Sequence, residues 1–376
     1  MFRFTALVLL ALSLSPASLL AQSPTASTKP ALRVGIVGLV HGHVHGFLGQ
    51  WRHSPLIEIV GIAEPDRQLL SQAAARYGFD QSLLFTALED MITKTHPQAV
   101  LVYTNTYDHR RVVEICARLG VHVIMEKPLA VSLDDALAIE KAGHAGRIHV
   151  LVNYETSWYA SNHAAYDIVH EREIGEVRKV VVHDGHQGPK EIGVEPEFFA
   201  WLTDPNLNGG GALFDFGCYG ADLMTWLMGG QRPTTVTAVT QHIKPEIYQH
   251  VDDEATIILT YPQAQAIIQA SWNWPFSRKD MEVYGQTGYV ITVQSNDIRM
   301  RHEGESQEEQ KTAKPIAAPY DNELDYLRAV VLDGAKEDSL SSLETNVTVA
   351  RILDAARASA TMGRTITLLD VTGAGK

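Results

Sequence analysis

The sequence predicts an α/β chain, a doubly wound parallel sheet followed by an α+β domain with a mostly antiparallel sheet, and three observations carry that prediction. Between residues 32 and 152, short apolar runs alternate with helical segments of about 10–15 residues, the rhythm of βαβ units with right-handed crossovers. A glycine-rich turn follows the first apolar run directly. From Val177 onward, strand-like segments succeed one another without intervening helices.

Leu32 to Val37 is a buried strand, Val44 to Arg52 a short helix, Ile57 to Ala63 a strand, and Arg67 to Tyr77 a helix closed by Gly78. Ala99 to Val102 and His122 to Met125 are strands flanking a helix from Asp108 to Leu119, which Gly120 ends. Ser132-Leu133-Asp134-Asp135 forms a capping box for a helix running to Ala145, and His149 to Val152 closes the set. The second domain takes strands at Val177 to Val182, Thr234 to Gln241, Glu254 to Tyr261, Gln265 to Trp272 and Met281 to Gly285. Helices are expected at Leu213 to Met228, Asn322 to Leu332 and Ser342 to Met362, and the charged stretch Glu303 to Lys314 reads as a solvated loop.

At 376 residues the chain has room for two domains, 32–152 and 153–376. Residues 1–21 read as a secretory signal: Arg3 precedes an apolar run from Thr5 to Leu14, and small residues follow at the cleavage region. Ser13, Ser15, Pro16 and Ser18 break that run short of the ~20 residues a membrane span needs, so no span is expected after signal removal. The product is expected to be exported, periplasmic or secreted, with 22–31 as a linker. A lone arginine excludes a twin-arginine signal and points to export in the unfolded state. Formal charge of −13 leaves no basis for holding polyanions, which argues against nucleic acid as a partner. Cys116 and Cys218 each lie in an apolar segment and read as buried free thiols.

The turn after the first strand is Gly38-Leu39-Val40-His41-Gly42-His43. Gly38 fits the tight turn of a dinucleotide fingerprint, Val40 and His43 occupy its second and third positions, and Gly42 lets the backbone approach phosphate in an altered turn. Phosphate then meets the amides at the helix N-terminus, with His41 or His43 as a further phosphate or substrate contact. Glu64 closes the second strand, where a carboxylate accepts hydrogen bonds from ribose hydroxyls and repels a 2′-phosphate, favouring NAD over NADP. The alternating His41, His43 and His45 are expected to diverge in the turn without a carboxylate partner, so no metal site is assigned.

Two clusters carry the chemistry. Glu126-Lys127-Pro128 puts a lysine at the end of an apolar run, where an α/β sheet opens its ligand crevice. Gly209-Gly210-Gly211 leads into Asp215 and Tyr219, four residues apart and so on one face of a helix. Lysine, aspartate and tyrosine together suggest proton transfer at a hydroxyl.

These features, with Val251-Asp252-Asp253-Glu254-Ala255, Tyr284-Gly285-Gln286-Thr287-Gly288 and Gly363-Arg364-Thr365-Ile366, resemble the Gfo/Idh/MocA oxidoreductases over nearly the whole mature chain. The resemblance implies an N-terminal Rossmann domain, an open C-terminal sheet through which such proteins often pair as homo-oligomers, and a nicotinamide lying between the domains. It implies sugar, cyclitol or related substrates. Lys127 would hydrogen-bond the reacting hydroxyl and the nicotinamide ribose, Glu126 would lie near that ribose, Asp215 would orient substrate and Tyr219 would be the acid/base. Thr104-Asn105-Thr106 stands where relatives often have Thr-Pro, ahead of a histidine matched by His109, which places Thr104, Asn105 and His109 at the cofactor. Tyr154 and Trp158 offer aromatic faces to a sugar ring; Trp201, Trp272 and Trp274 do the same, and core packing is the commoner role for all five. The Tyr219 phenol, ordinarily near ~10, is expected to be lowered by the Lys127 ammonium.

Three functions stay open on this evidence. One is an exported NAD-dependent oxidoreductase acting on a sugar, cyclitol or glycoside hydroxyl. Another is an NAD-dependent glycosidase working by transient oxidation and elimination. The last is a non-catalytic sugar-binding protein.

Overall fold

In the computed structural model, β1 (Leu32–Val37) is the hub of the first sheet, flanked by β2 (Ile57–Ala63) and β4 (Ala99–Val102), all parallel. Its apolar side chains are buried because both faces of a parallel sheet are covered by helices. The structure describes residues 30–368. The expected signal segment and nearly all of the linker lie outside the described residues. From Ala31 onward the chain is one unit.

Around β1 the order of strands is β3-β2-β1-β4-β5-β6, with β3 at Leu84–Phe85, β5 at His122–Glu126 and β6 at Val150–Asn153. Between β1 and β4 the connections change direction, which opens a crevice at the carboxyl ends of the strands. The helices are α1 (His43–Trp51), α2 (Arg67–Tyr77), α3 (Leu88–Thr95), α4 (His109–Leu119) and α5 (Leu133–Gly146). Ser132 caps α5 through the Asp135 amide, as the capping box predicts. Two elements are unanticipated: β3 is only two residues long, and α3 is two turns with just Leu88, Met91 and Ile92 buried. Both are too short to show a period.

After α6 (Ala160–His170) comes a nine-stranded sheet in the order β14-β13-β12-β11-β7-β10-β9-β8-β15. Its strands are β7 (Lys179–Gly185), β8 (Thr235–Gln241), β9 (Glu254–Thr260), β10 (Gln265–Ser271), β11 (Arg278–Tyr284), β12 (Gly288–Val293), β13 (Asp297–His302), β14 (Glu309–Thr312) and β15 (Ile366–Thr367). Pairing is antiparallel except between β7 and β10. The expected loop at Glu303 to Lys314 contains β14, every residue of which is exposed. An edge strand held by backbone pairing and polar side-chain contacts carries no apolar alternation, and its charges protect the sheet edge.

Three short helices, α7 (Pro189–Ile192), α8 (Pro196–Leu202) and α9 (Pro205–Asn208), lead to the glycine triplet. The single helix expected from Leu213 to Met228 is two, α10 (Ala212–Asp215) and α11 (Gly217–Leu227), broken at Phe216. Asp252 governs this start: its carboxylate accepts from the Gly211 and Leu213 amides, and its carbonyl accepts from Ala212. A Cβ on Gly211 would lie 1.8 Å from that carbonyl oxygen, so only glycine passes here. Finally α12 (Glu323–Asp333) lays Leu324, Tyr326, Leu327 and Val330 into one core with Leu32, Val34 and Ile36, while α13 (Leu343–Met362) packs on α5, α11 and β8. Both cysteines are buried and free.

Candidate active site

β5 delivers Glu126 and then Lys127 to the crevice, and the break between α10 and α11 delivers Asp215 and Tyr219 to the same place. Lys127 Nζ donates to Asp215 Oδ1 at 2.5 Å and to the Asp215 carbonyl at 3.2 Å. The indole N–H of Trp272, fully buried on the adjoining sheet, donates to Asp215 Oδ2 at 2.9 Å. Burial opposes ionisation of Asp215, but the Lys127 ammonium and the Trp272 donor outweigh it and hold the carboxyl down at about 2. Burial likewise opposes the ammonium, and Asp215 outweighs it, so Lys127 stays protonated.

Tyr219 departs from expectation. Its phenol is 2% exposed, and burial, followed by the Glu155 carboxylate, pushes it well above the ordinary tyrosine range. Lys127 cannot reverse this because its charge is committed to Asp215 and its Nζ lies over the ring face, 5.1 Å from the centroid. The amine at the hydroxyl is that of Lys279 on β11, 3.5 Å from Tyr219 Oη and 4.6 Å from the ring centroid. Lys279 is ion-paired with Glu155, which also accepts from the Tyr159 hydroxyl.

Beside Tyr219 opens a cavity of about 410 Å³ lined by His43, Trp51, Tyr103, Glu126, Asn153, Glu155, Trp158 and Glu323, among others. Asn153 links two walls, accepting from the Trp158 indole N–H and donating to Glu323. Burial, with Glu126 nearby, pushes the Glu323 carboxyl up to about 7. Sequence reasoning assigned no role to Lys279, Glu323 or Trp51. Asn322, the N-cap of α12, is the local signal that Glu323 begins a helix; nothing local marks Lys279.

At the other end of the crevice, a cavity of about 400 Å³ is lined by Gly38, Val40, Glu64, Thr104, Asn105, Asp108 and Arg111, among others. Gly38 sits at φ +82°, and a Cβ there would be 2.7 Å from the Thr104 amide nitrogen, so the turn requires glycine. Glu64 braces it, accepting from the Leu39 and Asp66 amides at 2.8 Å each, while Asp66 caps α2. Asn105 caps the turn into α4 through the Asp108 amide. The glycine-only turn, the N-terminus of α1 behind Gly42, and a carboxylate ending β2 fit a dinucleotide stretched along the carboxyl edge of the sheet. Trp201 steadies that loop by donating to the Val40 carbonyl.

Of the three alternating histidines, His45 diverges to bond the Tyr77 hydroxyl, whereas His41 and His43 do not part. Entry into α1 brings the His41 and His43 rings to 4.6 Å, and one donor atom each from His41, His43 and Glu126 lies within 4.8 Å of the others. His43 Nδ1 meets Glu126 Oε2 at 3.1 Å, and His41 accepts the His43 amide while packing on Phe198. Burial opposes charge on both partners of the pair. The mutual attraction wins, raising His43 and holding Glu126 at about 2. Burial, followed by the neighbouring His43 charge, lowers His41 well below the ordinary range, which disfavours a second cation beside the His43–Glu126 pair.

Two expected contacts face the interior. His109 is buried with Nδ1 on the Leu129 carbonyl, beneath the Lys127-Pro128 turn, and burial lowers it to about 4. Tyr154 is fully buried, bonded to Asn346 and edge-on to the Tyr219 ring, which it supports from behind. Trp158 does line the cavity.

The model of the NAD-binding Rossmann domain of this oxidoreductase family matches residues 32–154, and that of the GFO/IDH/MocA C-terminal domain matches 162–291. A trans-1,2-dihydrobenzene-1,2-diol dehydrogenase from Xenopus tropicalis is 23% identical over 309 residues, 80% of this chain and 88% of that one. The aldose-aldose oxidoreductase from Caulobacter crescentus, solved with glycerol, superposes with a TM-score of 0.76 at 23% identity, over 90% of this chain and all of that one. An inositol dehydrogenase homolog from Azotobacter vinelandii, solved with NAD+, gives 0.77 at 18% identity, over 90% and 98%. Carrying both domains of the family, with its lysine, aspartate and tyrosine gathered at one crevice, the chain belongs to the Gfo/Idh/MocA oxidoreductases.

Proposed function

We propose that the protein is an exported, NAD-dependent oxidoreductase acting on a secondary hydroxyl of an uncharged sugar, cyclitol or glycoside. The observation that carries the substrate class is the wall of the cavity beside Tyr219: Glu126 and Glu155 are matched by His43 and Lys279, Glu323 is pushed up to about 7, and Trp51 and Trp158 add indole faces, with no unmatched lysine or arginine lining it. Phosphorylated or carboxylated substrates would find no uncommitted cation there, whereas hydroxyls donate to carboxylates and a sugar ring packs on indole. Relatives solved with glycerol and inositol agree in kind.

Nicotinamide, when bound, supplies the hydride exchange. Lys127 would donate to the reacting oxygen, and Asp215, held by Trp272, keeps that ammonium in place. Tyr219 holds its proton in the free enzyme and would give it to the oxygen of a carbonyl whose carbon gains hydride; in the oxidising direction the phenol first loses its proton, and the phenolate then takes the hydroxyl proton as the carbinol carbon loses hydride. Glu64, at the end of β2, favours NAD over NADP. The signal-like N-terminus supports export, and outside the cytoplasm free NAD is scarce, so the cofactor would stay bound and be recycled between two half-reactions.

Purified protein, denatured and examined by mass spectrometry, is expected to release NAD. Absence of any bound or bindable pyridine nucleotide would reduce the reading to sugar binding alone. Hydrolysis of a p-nitrophenyl glycoside without added cofactor or net NADH would instead assign glycoside cleavage by transient oxidation.

A further inference from the structure

We infer that Lys279 is a positioning residue that sets the acidity of the Tyr219 phenol by its charge, and that Glu155 opposes it. The inference rests on Tyr219 as the proton carrier proposed above. Lys279 reaches the site from a different domain and strand than Lys127. It stands opposite Asp184 in the pairing of β11 with β7, and its amine lies over the Tyr219 ring with Nζ 3.5 Å from Oη. Its side chain is 19% exposed and that of its ion-pair partner Glu155 is 54% exposed, so the pair joins the buried phenol to the open side of the cavity.

The charged and titratable groups around the phenol divide clearly. From β5 come Lys127, matched by Asp215, and Glu126, matched by His43. Behind the ring are the neutral Cys218 thiol and the Tyr154 phenol. From β7 comes Asp184, fully buried with neither carboxyl oxygen hydrogen-bonded; burial raises its carboxyl well above the usual range against the pull of Lys279. Asp280 is turned to His183 and Arg278. This leaves Lys279 and Glu155 as a balanced couple beside Oη, and removing either member unbalances it.

When Tyr219 yields its proton to a substrate oxygen, the O–H bond breaks, the proton goes to that oxygen, and the electron pair remains on Oη beside Nζ. The reverse step restores the phenol. Lys279 gives up no bond in the step and acts by stabilising the phenolate with its charge.

A titration that needs no substrate tests this. 3,5-Difluorotyrosine is placed at position 219, where its more acidic phenol titrates in folded protein, and 19F NMR follows it against pH. Lys279→Met is expected to raise the apparent pKa and Glu155→Gln to lower it, each by about 1–3 units, the usual effect of a charge within ~4–6 Å. Lys279→Arg, which keeps the cation, is expected to stay near the parent value. Shifts of the same sign in the Met and Gln variants, an unmoved Glu155→Gln resonance, or an Arg variant that behaves like the Met variant would each overturn the inference. Because the readout is the phenol itself, it reports even if hydride transfer proves not to be the reaction.

Discussion

Replacing Asp215 by asparagine removes the charge that faces Lys127 across 2.5 Å while nearly preserving shape. At that separation and an effective dielectric of about 20, the Coulomb attraction is about 6–7 kcal/mol. Desolvation of two buried ions offsets part of it, and breaking such a pair destabilises a protein by about 3–5 kcal/mol because the remaining ammonium is stranded. The pH dependence is a second reading of the same interaction. Asp215 titrates at about 2 instead of 3.8. At about 1.4 kcal/mol per unit, that is about 2.5 kcal/mol of stability. Because the folded-state value is depressed, this stability is present above pH 3.8 and is lost as pH falls toward 2. Urea unfolding of the wild type, Asp215→Asn, Lys127→Met and the double variant, followed by tryptophan fluorescence, measures the coupling. The double variant should be less destabilised than the sum of the singles by about 2–3 kcal/mol. Additivity within about 0.5 kcal/mol, or an Asp215→Asn cost under about 1 kcal/mol, would refute the reasoning.

Gly38→Ala forces a side chain into a left-handed conformation and against the Thr104 amide, and is expected to lose more than about 1 kcal/mol of stability together with NAD affinity, read by urea unfolding and calorimetric titration. Trp272→Phe deletes the donor to Asp215 Oδ2, a hydrogen bond to a charge worth about 1.5–3 kcal/mol, and should lower the urea midpoint without altering the fold by circular dichroism. His109 titrates at about 4 in the folded protein against 6.5 unfolded, so it is buried neutral. Acid then favours the unfolded chain progressively from pH 6.5 down to 4, by up to about 3.4 kcal/mol. In His109→Gln the decline in urea midpoint between those pH values should be visibly shallower.

Five of the six strands of the first sheet could be read in advance because strands of a two-sided sheet are largely apolar runs, as in Val100 to Val102 and Val123 to Met125. The edge strand Glu309–Thr312 could not, since its backbone pairing with β13 and polar contacts such as Thr312 to Asp297 leave no apolar alternation to read. The interruption at Phe216 was equally hidden: the helix start is dictated by Asp252, some forty residues away in the chain. At the site, Lys127 and Asp215 were identifiable from their motifs, but the ion pair between them was not, since from sequence the Lys127 charge is expected at the Tyr219 phenol. The direction of the Tyr219 shift was not, because desolvation and the Glu155 carboxylate act only after folding.

By itself, the sequence determined the succession of a parallel sheet and a mostly antiparallel one, the glycine turn after β1 and the residue types of the candidate site, since strand periodicity and tight-turn sterics are local. Tertiary structure alone decided which amine meets the phenol, that His43 pairs with Glu126, and that His109 and Tyr154 turn inward. Those outcomes depend on sheet register and burial, and both arise from contacts between segments far apart in the chain.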